Sequence, residues 1–168
     1  MINLRCKGNK MIITRQLRFD PKFIDENIIH KLVELVKTTF EGTSSKDDGI
    51  IRRVNYLKRI VSNEISKTTG NIIFVLEIDV DLVHPKVGDT FPMAITKIDP
   101  KALFVEGDVF KAIVSADNIV GFEFSKSSNT FYNQDTKKTL KLKDTVLVTI
   151  IAMRYDNNMF KYVGRIEP

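Results

Sequence analysis

Glu77, Asp79 and Asp81 alternate along one short stretch, a residue type and repeat that could hold a metal ion in a suitable geometry. Alternation places them on one face of a strand, however, with successive same-face positions about 6.6–7 Å apart. That is too wide for tight chelation by carboxylates unless the strand bends. A solvated face or a salt bridge is the favoured reading. The two histidines, His30 and His84, lie far apart in sequence and have no ligand cluster around them. His30 falls near an apolar helical stripe and reads as a packing residue. Cys6 is the single cysteine, which excludes an internal disulfide and any cysteine-based zinc cluster. No glycine-rich phosphate loop, Cys/His pair or Ser-His-Asp set is present. The sequence therefore predicts no catalytic residues, no metal and no cofactor. It reads as a binding protein and not as an enzyme.

The elements that would position a binding surface fall into two differently organised halves. His84-Pro85-Lys86-Val87-Gly88-Asp89 lies where they meet, with a proline that fixes φ and a glycine three residues later. Residues 1–10 read as a polar extension. Met11 to Phe19 reads as an edge strand and Asp20-Pro21 as a turn. Asp25 is the expected cap of a helix with its apolar stripe at Ile28, Ile29, Leu32, Leu35, Val36 and Phe40, stopped by Gly42. Gly49 to Leu57 reads as a strand. Lys58 to Gly70 is open between a short helix and a strand, with a loop over Ser66 to Asn71. Ile72 to Val83 is a strand with one buried and one wet face.

After the junction, strands are expected near Thr90–Ile98, Ala102–Glu106, Phe110–Ser115, Thr145–Tyr155 and Met159–Ile166. Asp99-Pro100 and Asp156-Asn157-Asn158 carry hairpin turn chemistry. Ser125 to Leu142 is long and polar and reads as a mobile loop. Its lysines and their neighbour, Lys126, Lys137, Lys138, Lys141 and Lys143, read as a solvated cationic surface. The predicted class is α+β: a small N-terminal α/β domain over 11–84, with one main helix on an antiparallel sheet, then a five-stranded barrel over 85–168. Small barrels of this kind are common binders of single-stranded nucleic acid.

Composition is consistent with that division. The chain has 168 residues with 43% hydrophobic and 28% charged, which describes a folded globular protein. No apolar run approaches the roughly 20 residues of a membrane span, and no signal-peptide core follows the N-terminal basic residues. An intracellular setting without membrane contact is expected. The net charge of +5 is split almost evenly. Residues 1–84 hold 14 Lys/Arg against 11 Asp/Glu, and residues 85–168 hold 12 against 10. Weak, salt-sensitive attraction to phosphate is allowed.

Several motifs occur in an order that resembles a known family, the stalk subunit of multisubunit DNA-dependent RNA polymerases, comprising the seventh subunit of eukaryotic polymerase II and the archaeal E subunit. The family's helix ending in Glu-Gly-Thr is matched by Glu41-Gly42-Thr43, and its Pro-x-x-Gly-acid link by Pro85, Gly88 and Asp89. Its Gly-Leu-Phe-x-Glu segment is Ala102-Leu103-Phe104-Val105-Glu106 here, followed by a strand ending in Ser115. An acid-led strand at Asp144 to Val148 and a Gly-x-Ile ending at Gly164 to Ile166 complete the series. Ala102 departs from the family's glycine, and the Ser66 to Gly70 segment has one glycine where the family's tip loop is glycine-rich. These departures and a bias to isoleucine, 20 against 11 leucines, would suit a version from a large DNA virus or an AT-rich protist.

The resemblance implies a non-catalytic polymerase subunit with an N-terminal tip domain and a C-terminal OB-fold of the ribosomal-protein-S-one type. The tip would dock beside the clamp through Gly42, Thr43 and Ser66, Lys67, Thr68, Thr69, Gly70 and Asn71. The barrel would guide nascent single-stranded RNA, stacking bases on Phe104, Phe110 and Tyr155, with Lys101, Lys111, Arg154 and Lys161 as phosphate partners. The implied partners are the largest polymerase subunits, a clamp-side small subunit and a helical fourth-subunit-like protein. The implied location is with the transcription machinery, in the nucleus or in a viral factory or virion. The competing expectation is a free-standing OB-fold RNA-binding adaptor in translation or RNA decay.

Overall fold

Alternation in Ile72–Val83 buries every second residue, and this strand organises the N-terminal half of the computed structural model, which describes residues 8–167. The strands there are β1 (Asn9–Phe19), β2 (Ser44–Ser45), β3 (Gly49–Ile65) and β4 (Ile72–Val83), in the antiparallel order β1-β4-β3-β2. Helix α1 (Ile28–Phe40) covers one face, with Leu32 and Val36 sealed against Ile13, Leu17, Leu76, Ile78 and Val80. Of the segment read as a polar extension, residues 1–7 lie outside the described residues. Asn9 and Lys10 are already strand, paired with Leu82 and Asp81.

The helix starts and stops close to expectation, but its cap differs. Asn27 occupies the cap position, and Asp25 acts two residues earlier, accepting the Asn27 N–H at 2.9 Å. Lys31 closes on the same carboxylate, so Asp25 is spent fixing the turn that enters the helix. Ile29, assigned to the buried stripe, lies in the first turn and is 56% exposed.

The open segment after Leu57 is strand as far as Ile65, and the loop read from Ser66 follows it. β3 carries apolar residues at every third position, Ile51, Val54, Leu57 and Ile60, a spacing that reads as helical. Their partners on β4 are Leu82, Ile78's neighbours Val80 and Leu76, and Ile78 itself, at every second position. The mismatch is taken up by four register shifts, each adding one residue to β3: Arg52, Asn55, Lys58 and Val61. A bulge bends and twists the strand that carries it, so four in succession coil β3 strongly. On the other face of this ladder Arg53, Tyr56 and Arg59 oppose Asp81, Asp79 and Glu77.

Residues 85–167 form a second compact unit. Its strands β5 (Thr90–Asp99), β6 (Ala102–Glu106), β7 (Lys111–Ser115), β11 (Thr145–Asp156) and β12 (Met159–Arg165) close a barrel in the order β11-β12-β7-β6-β5. All neighbours are antiparallel except β12 and β7, which pair in parallel through Tyr162↔Ala112 and Val163↔Ile113. Five strands with this order and one parallel seam are the OB-fold topology. The barrel interior is filled by Met93, Ile95, Leu103, Val105, Val114, Val148 and Ile150. With one α-helix among the described residues, the chain is mostly β, more so than the α+β class expected from sequence.

Two glycines are required by the barrel. A Cβ on Gly164 would stand 2.2 Å from Val148 Cγ1 and 3.3 Å from Val114 Cγ2, so β12 can lie across the core there only without a side chain. Gly88 has φ +96° and donates its N–H to the Ile150 carbonyl at 2.8 Å, while Asp89 accepts from Ile150 at 2.9 Å. The Asp89 carboxylate also accepts the Lys86 N–H at 2.8 Å. The Pro85–Asp89 turn is thus tied to β11.

The stretch from Ser125 to Leu142, read as a loop, contains strands. It contributes most of a small antiparallel sheet, β8 (Glu123–Ser125), β9 (Thr130–Tyr132) and β10 (Thr139–Leu140), in the order β10-β9-β8. Phe131 is 1% exposed, packs edge-on to Phe124 at 5.3 Å, and sits opposite Leu140. Buried Asn133 accepts the N–H groups of Asp135 and Thr136 at 2.9 and 2.8 Å. A polar sequence is held here by one aromatic pair and one buried amide.

One ion pair of the N-terminal unit has a pH signature. Arg15, on the helix side of β1, bonds Asp48 in the β2–β3 turn, two strands away across the sheet. The Arg15 guanidinium holds the Asp48 carboxyl below its ordinary range, helped by the Ser45 hydroxyl and opposed by partial burial. A depressed folded-state pKa contributes stability that is present above the unfolded value, near 3.9, and is lost as pH falls through the folded value. Chemical denaturation of the native chain between about pH 5 and pH 2 should therefore show a component of acid destabilisation that Asp48→Asn lacks. Equal slopes for the two proteins would remove this pair from the acid response.

Candidate nucleic-acid interface

The outer surface of a closed barrel is set by the residues that alternate with its core. On β6, Leu103 and Val105 are fully inside, which turns Phe104 outward and leaves it half-buried. On β7, Ala112 and Val114 are inside and Ile113 is 46% exposed. On β12, Tyr162 and Gly164 are inside and Val163 is 37% exposed. These outward residues fall in one row, because the register pairs Lys97 with Phe104, Phe104 with Ile113, Ile113 with Val163, and Val163 with Ala152. The row crosses all five strands. Its aromatic member is capped by a cation, with Lys97 Nζ 5.2 Å from the Phe104 ring centroid.

Cations flank the row on one side. Lys111 is the residue two before Ile113 on β7, Lys161 is two before Val163 on β12, and Arg154 pairs with Lys161 across β11. Two of them are partly neutralised: Lys111 lies 3.3 Å from Glu106 and Lys161 lies 2.9 Å from Asp156. Both pairs are exposed, so each is worth little and yields readily to a phosphate. A groove of about 490 Å³ runs here, lined by Lys97, Phe104, Lys111, Ile113, Phe160 and Lys161 among others. An apolar, partly aromatic strip beside a line of cations matches bases on one side and phosphates on the other.

The RNA-facing residues expected from sequence separate into three groups. Phe104, Lys111, Lys161 and Arg154 come together on adjacent strands. Lys101 is exposed in the β5–β6 turn, at the opposite end of β6 from Lys111, and its N–H is held by Asp99 at 3.1 Å. Tyr155 stands on the β11–β12 hairpin, half-buried, with its ring 4.8 Å from that of Phe160. Phe110 is corrected: it points into the barrel, 5.1 Å from the Phe91 ring and 4.6 Å from that of Tyr162, and presents no face for stacking. Lys97, Ile113 and Val163 were missed. The signal for Ile113 was available, since alternation with Ala112 and Val114 puts it outside with Lys111.

The residues expected to dock do not form one patch. Gly42 and Thr43 lie beside the start of β3, bonded to Ile51 at 2.8 and 2.9 Å. Ser66, Lys67, Thr68, Thr69, Gly70 and Asn71 form the tight turn at its other end, closed by Ser66 to Asn71 at 2.8 Å. Ten residues of β4, about 30 Å of strand, separate the two levels. The acidic trio is consumed internally. Arg59 donates to both Glu77 oxygens at 2.9 and 2.7 Å, and the Asn55 amide donates to Asp79 and Asp81 at 2.7 and 3.0 Å. The Arg59 hydrogen bonds hold the Glu77 carboxyl below its ordinary range. Among the described residues, no group of three His, Cys, Asp or Glu is arranged to hold a metal ion.

No family model matches the chain, and no curated protein sequence matches it. Among solved structures it is similar to the apo form of Mycoplasma genitalium RNase R, at 18% identity and a TM-score of 0.37. That alignment covers 46% of this chain and only 13% of the RNase R chain. The OB assignment rests on this chain's own strand order and parallel seam.

The inward placement of Phe110 has a direct consequence. Phe110→Ala should destabilise the chain by about 3–5 kcal/mol, as for other buried aromatic truncations. Urea unfolding measures it, and a loss well under 1 kcal/mol would return Phe110 to the surface.

Proposed function

We propose that the chain is a non-catalytic RNA-binding subunit whose barrel holds single-stranded RNA across the outer face of β6, β7 and β12. The observation that carries this reading is the in-register row of Lys97, Phe104, Ile113 and Val163 beside Lys111, Lys161 and Arg154. In the OB topology β6 and β7 are the second and third strands, the face such barrels use for oligonucleotides. Binding of this kind is tolerant of sequence, because every base offers a ring to an apolar surface and every nucleotide a phosphate to a cation. The row contains no acid, base or nucleophile aimed at a substrate. Its chemistry is adhesion and guidance.

At the finer level, we infer that the chain serves as the stalk subunit of a DNA-dependent RNA polymerase. Support comes from the ordered motifs Glu41-Gly42-Thr43, Pro85 to Asp89, Ala102 to Glu106 and Gly164 to Ile166. The structure gives these motifs distinct physical roles: a helix stop, a turn locked to β11, the strand bearing Phe104, and the close approach of β12. In this reading the N-terminal unit docks on the polymerase core near the clamp, a helical partner attaches to the chain, and the barrel receives emerging RNA. The protein then works inside the cell, with the transcription machinery.

Two measurements test the two levels separately. Phe104→Ala in the full chain should weaken binding of a single-stranded RNA oligonucleotide by roughly 5- to 150-fold, the equivalent of about 1–3 kcal/mol of stacking. Unchanged affinity would overturn the barrel-face reading. Affinity purification of tagged protein from its own cells should recover the two largest polymerase subunits. Recovery of RNA without polymerase would replace the stalk assignment with that of a free-standing RNA-binding adaptor.

A further inference from the structure

We propose that the β8–β10 sheet, inserted between β7 and β11, is a second contact for the ribose–phosphate backbone of the same RNA, extending the track beyond the barrel face. This inference rests on the reading of the barrel as an RNA-binding surface.

Charge points to the insertion first. Residues 85–168 carry 12 Lys/Arg against 10 Asp/Glu, but the segment 123–143 alone holds five lysines against Glu123 and Asp135. The remaining residues of that half then hold seven positive charges against eight negative ones. The barrel proper is therefore close to neutral, and the attraction of this unit for a polyanion resides in its insertion. Pairing reinforces the contrast. Lys111 and Lys161 on the barrel have carboxylate partners, whereas Lys126, Lys137, Lys138, Lys141 and Lys143 form no salt bridge among the described residues. Lysines that release counterions, and do not first have to leave a carboxylate, give the strongest salt-dependent attraction.

Shape points the same way. These lysines sit in the connections and flanks of a small sheet with a buried aromatic core. An open groove of about 690 Å³ runs along it, lined by the hydroxyls of Ser125, Ser128 and Thr139, the Tyr132 ring, Lys141 and half-exposed Leu142. Short hydroxyl side chains, a tyrosine and a lysine are the groups that bond phosphate and sugar oxygens. An acidic protein segment would satisfy the lysines but has less use for a hydroxyl-lined trough. Successive residues of β5 line the two grooves: Lys97, turned outward, the barrel-face groove, and Ile98, turned inward and 8% exposed, this one.

The test compares the chain with the double variant Lys126→Ala/Lys141→Ala by fluorescence anisotropy across a range of salt; Lys141 lines the groove, and Lys126 is exposed next to groove-lining Ser125. The probes are single-stranded RNA oligonucleotides of roughly 5 and roughly 16 nucleotides, spanning the range of site sizes for one OB-fold. For the longer RNA the variant should bind severalfold more weakly at low salt, with the salt slope reduced by about 1.4, the value for two lost phosphate contacts on a single strand. For the shorter RNA, which the barrel row alone accommodates, affinity should be unchanged. An unaltered slope with the longer RNA overturns the proposal and leaves the insertion to an acidic protein partner. Phe104→Ala distinguishes the two readings: if it leaves both oligonucleotides bound as before, the barrel site fails. If it weakens both while the double variant weakens neither, only the second contact fails.

Discussion

The short parallel seam between β7 and β12 is the constraint on which the barrel depends. Only Tyr162↔Ala112 and Val163↔Ile113 pair there, yet this seam joins the β11–β12 hairpin to the β5–β6–β7 meander and closes the surface. Its formation requires β12 to lie close over Val148 and Val114, and Gly164 permits that approach. Closure in turn sets register all the way round. A slip of one residue on β12 would turn Val163 inward and Tyr162 outward, because side chains alternate with a period of two. The outer row exists because the seam holds. Fold and candidate site are consequences of the same pairing.

The row is also where the barrel departs from simple economy of burial. Ile113 and Val163 are apolar residues on a solvent face, adjacent to half-buried Phe104. Scattered exposed apolar residues need no explanation, but contiguous ones on neighbouring strands do. Polar residues at those two positions would be compatible with the strand pattern and would leave the core untouched. What they would remove is the flat, dry surface on which a base can lie. The Lys97–Phe104 contact fits this account, since a cation over the ring is a weak exposed interaction that an incoming base or phosphate can replace.

Much of the barrel was legible in the sequence because its strands are short, alternating and separated by Asp-Pro and Asp-Asn-Asn turns. The latter forms the expected tight hairpin, with Asn157 and Asn158 at φ +49° and +59°. The candidate site was less legible, and Phe110 shows why. Ala112 and Val114 share its side of β7, and both are inside; alternation alone assigns Phe110 to the core. The resemblance to an RNA-binding family drew attention to aromatic type, whereas burial is decided by parity. Applied evenly, the same parity would have selected Ile113. Register across strands is a different matter. That Lys97, Phe104, Ile113 and Val163 align depends on a bulge between Ile95 and Lys97 and on the parallel seam, neither of which leaves a local mark in the sequence.

β3 illustrates the limit from the other side. Its apolar residues recur every three positions, a signal that favours a helix, and no glycine or proline interrupts them between Ile50 and Ser66. What makes the segment a strand is its partner. β4 alternates strictly, its inward residues Leu76, Ile78, Val80 and Leu82 are fixed by the helix above them, and only an extended neighbour can satisfy its backbone on that side. A period of three against a period of two is reconciled by inserting one residue per repeat, which places each apolar residue inward and leaves Arg53, Tyr56 and Arg59 facing the carboxylates of β4. The bulges thus settle two questions at once. They make the strand out of a helical pattern, and they bring an arginine opposite Glu77 and an asparagine within reach of Asp79 and Asp81, so that the acidic trio is matched by its own sheet. A pattern that looks ambiguous along one segment becomes determinate once the periodicity of its neighbour is imposed on it.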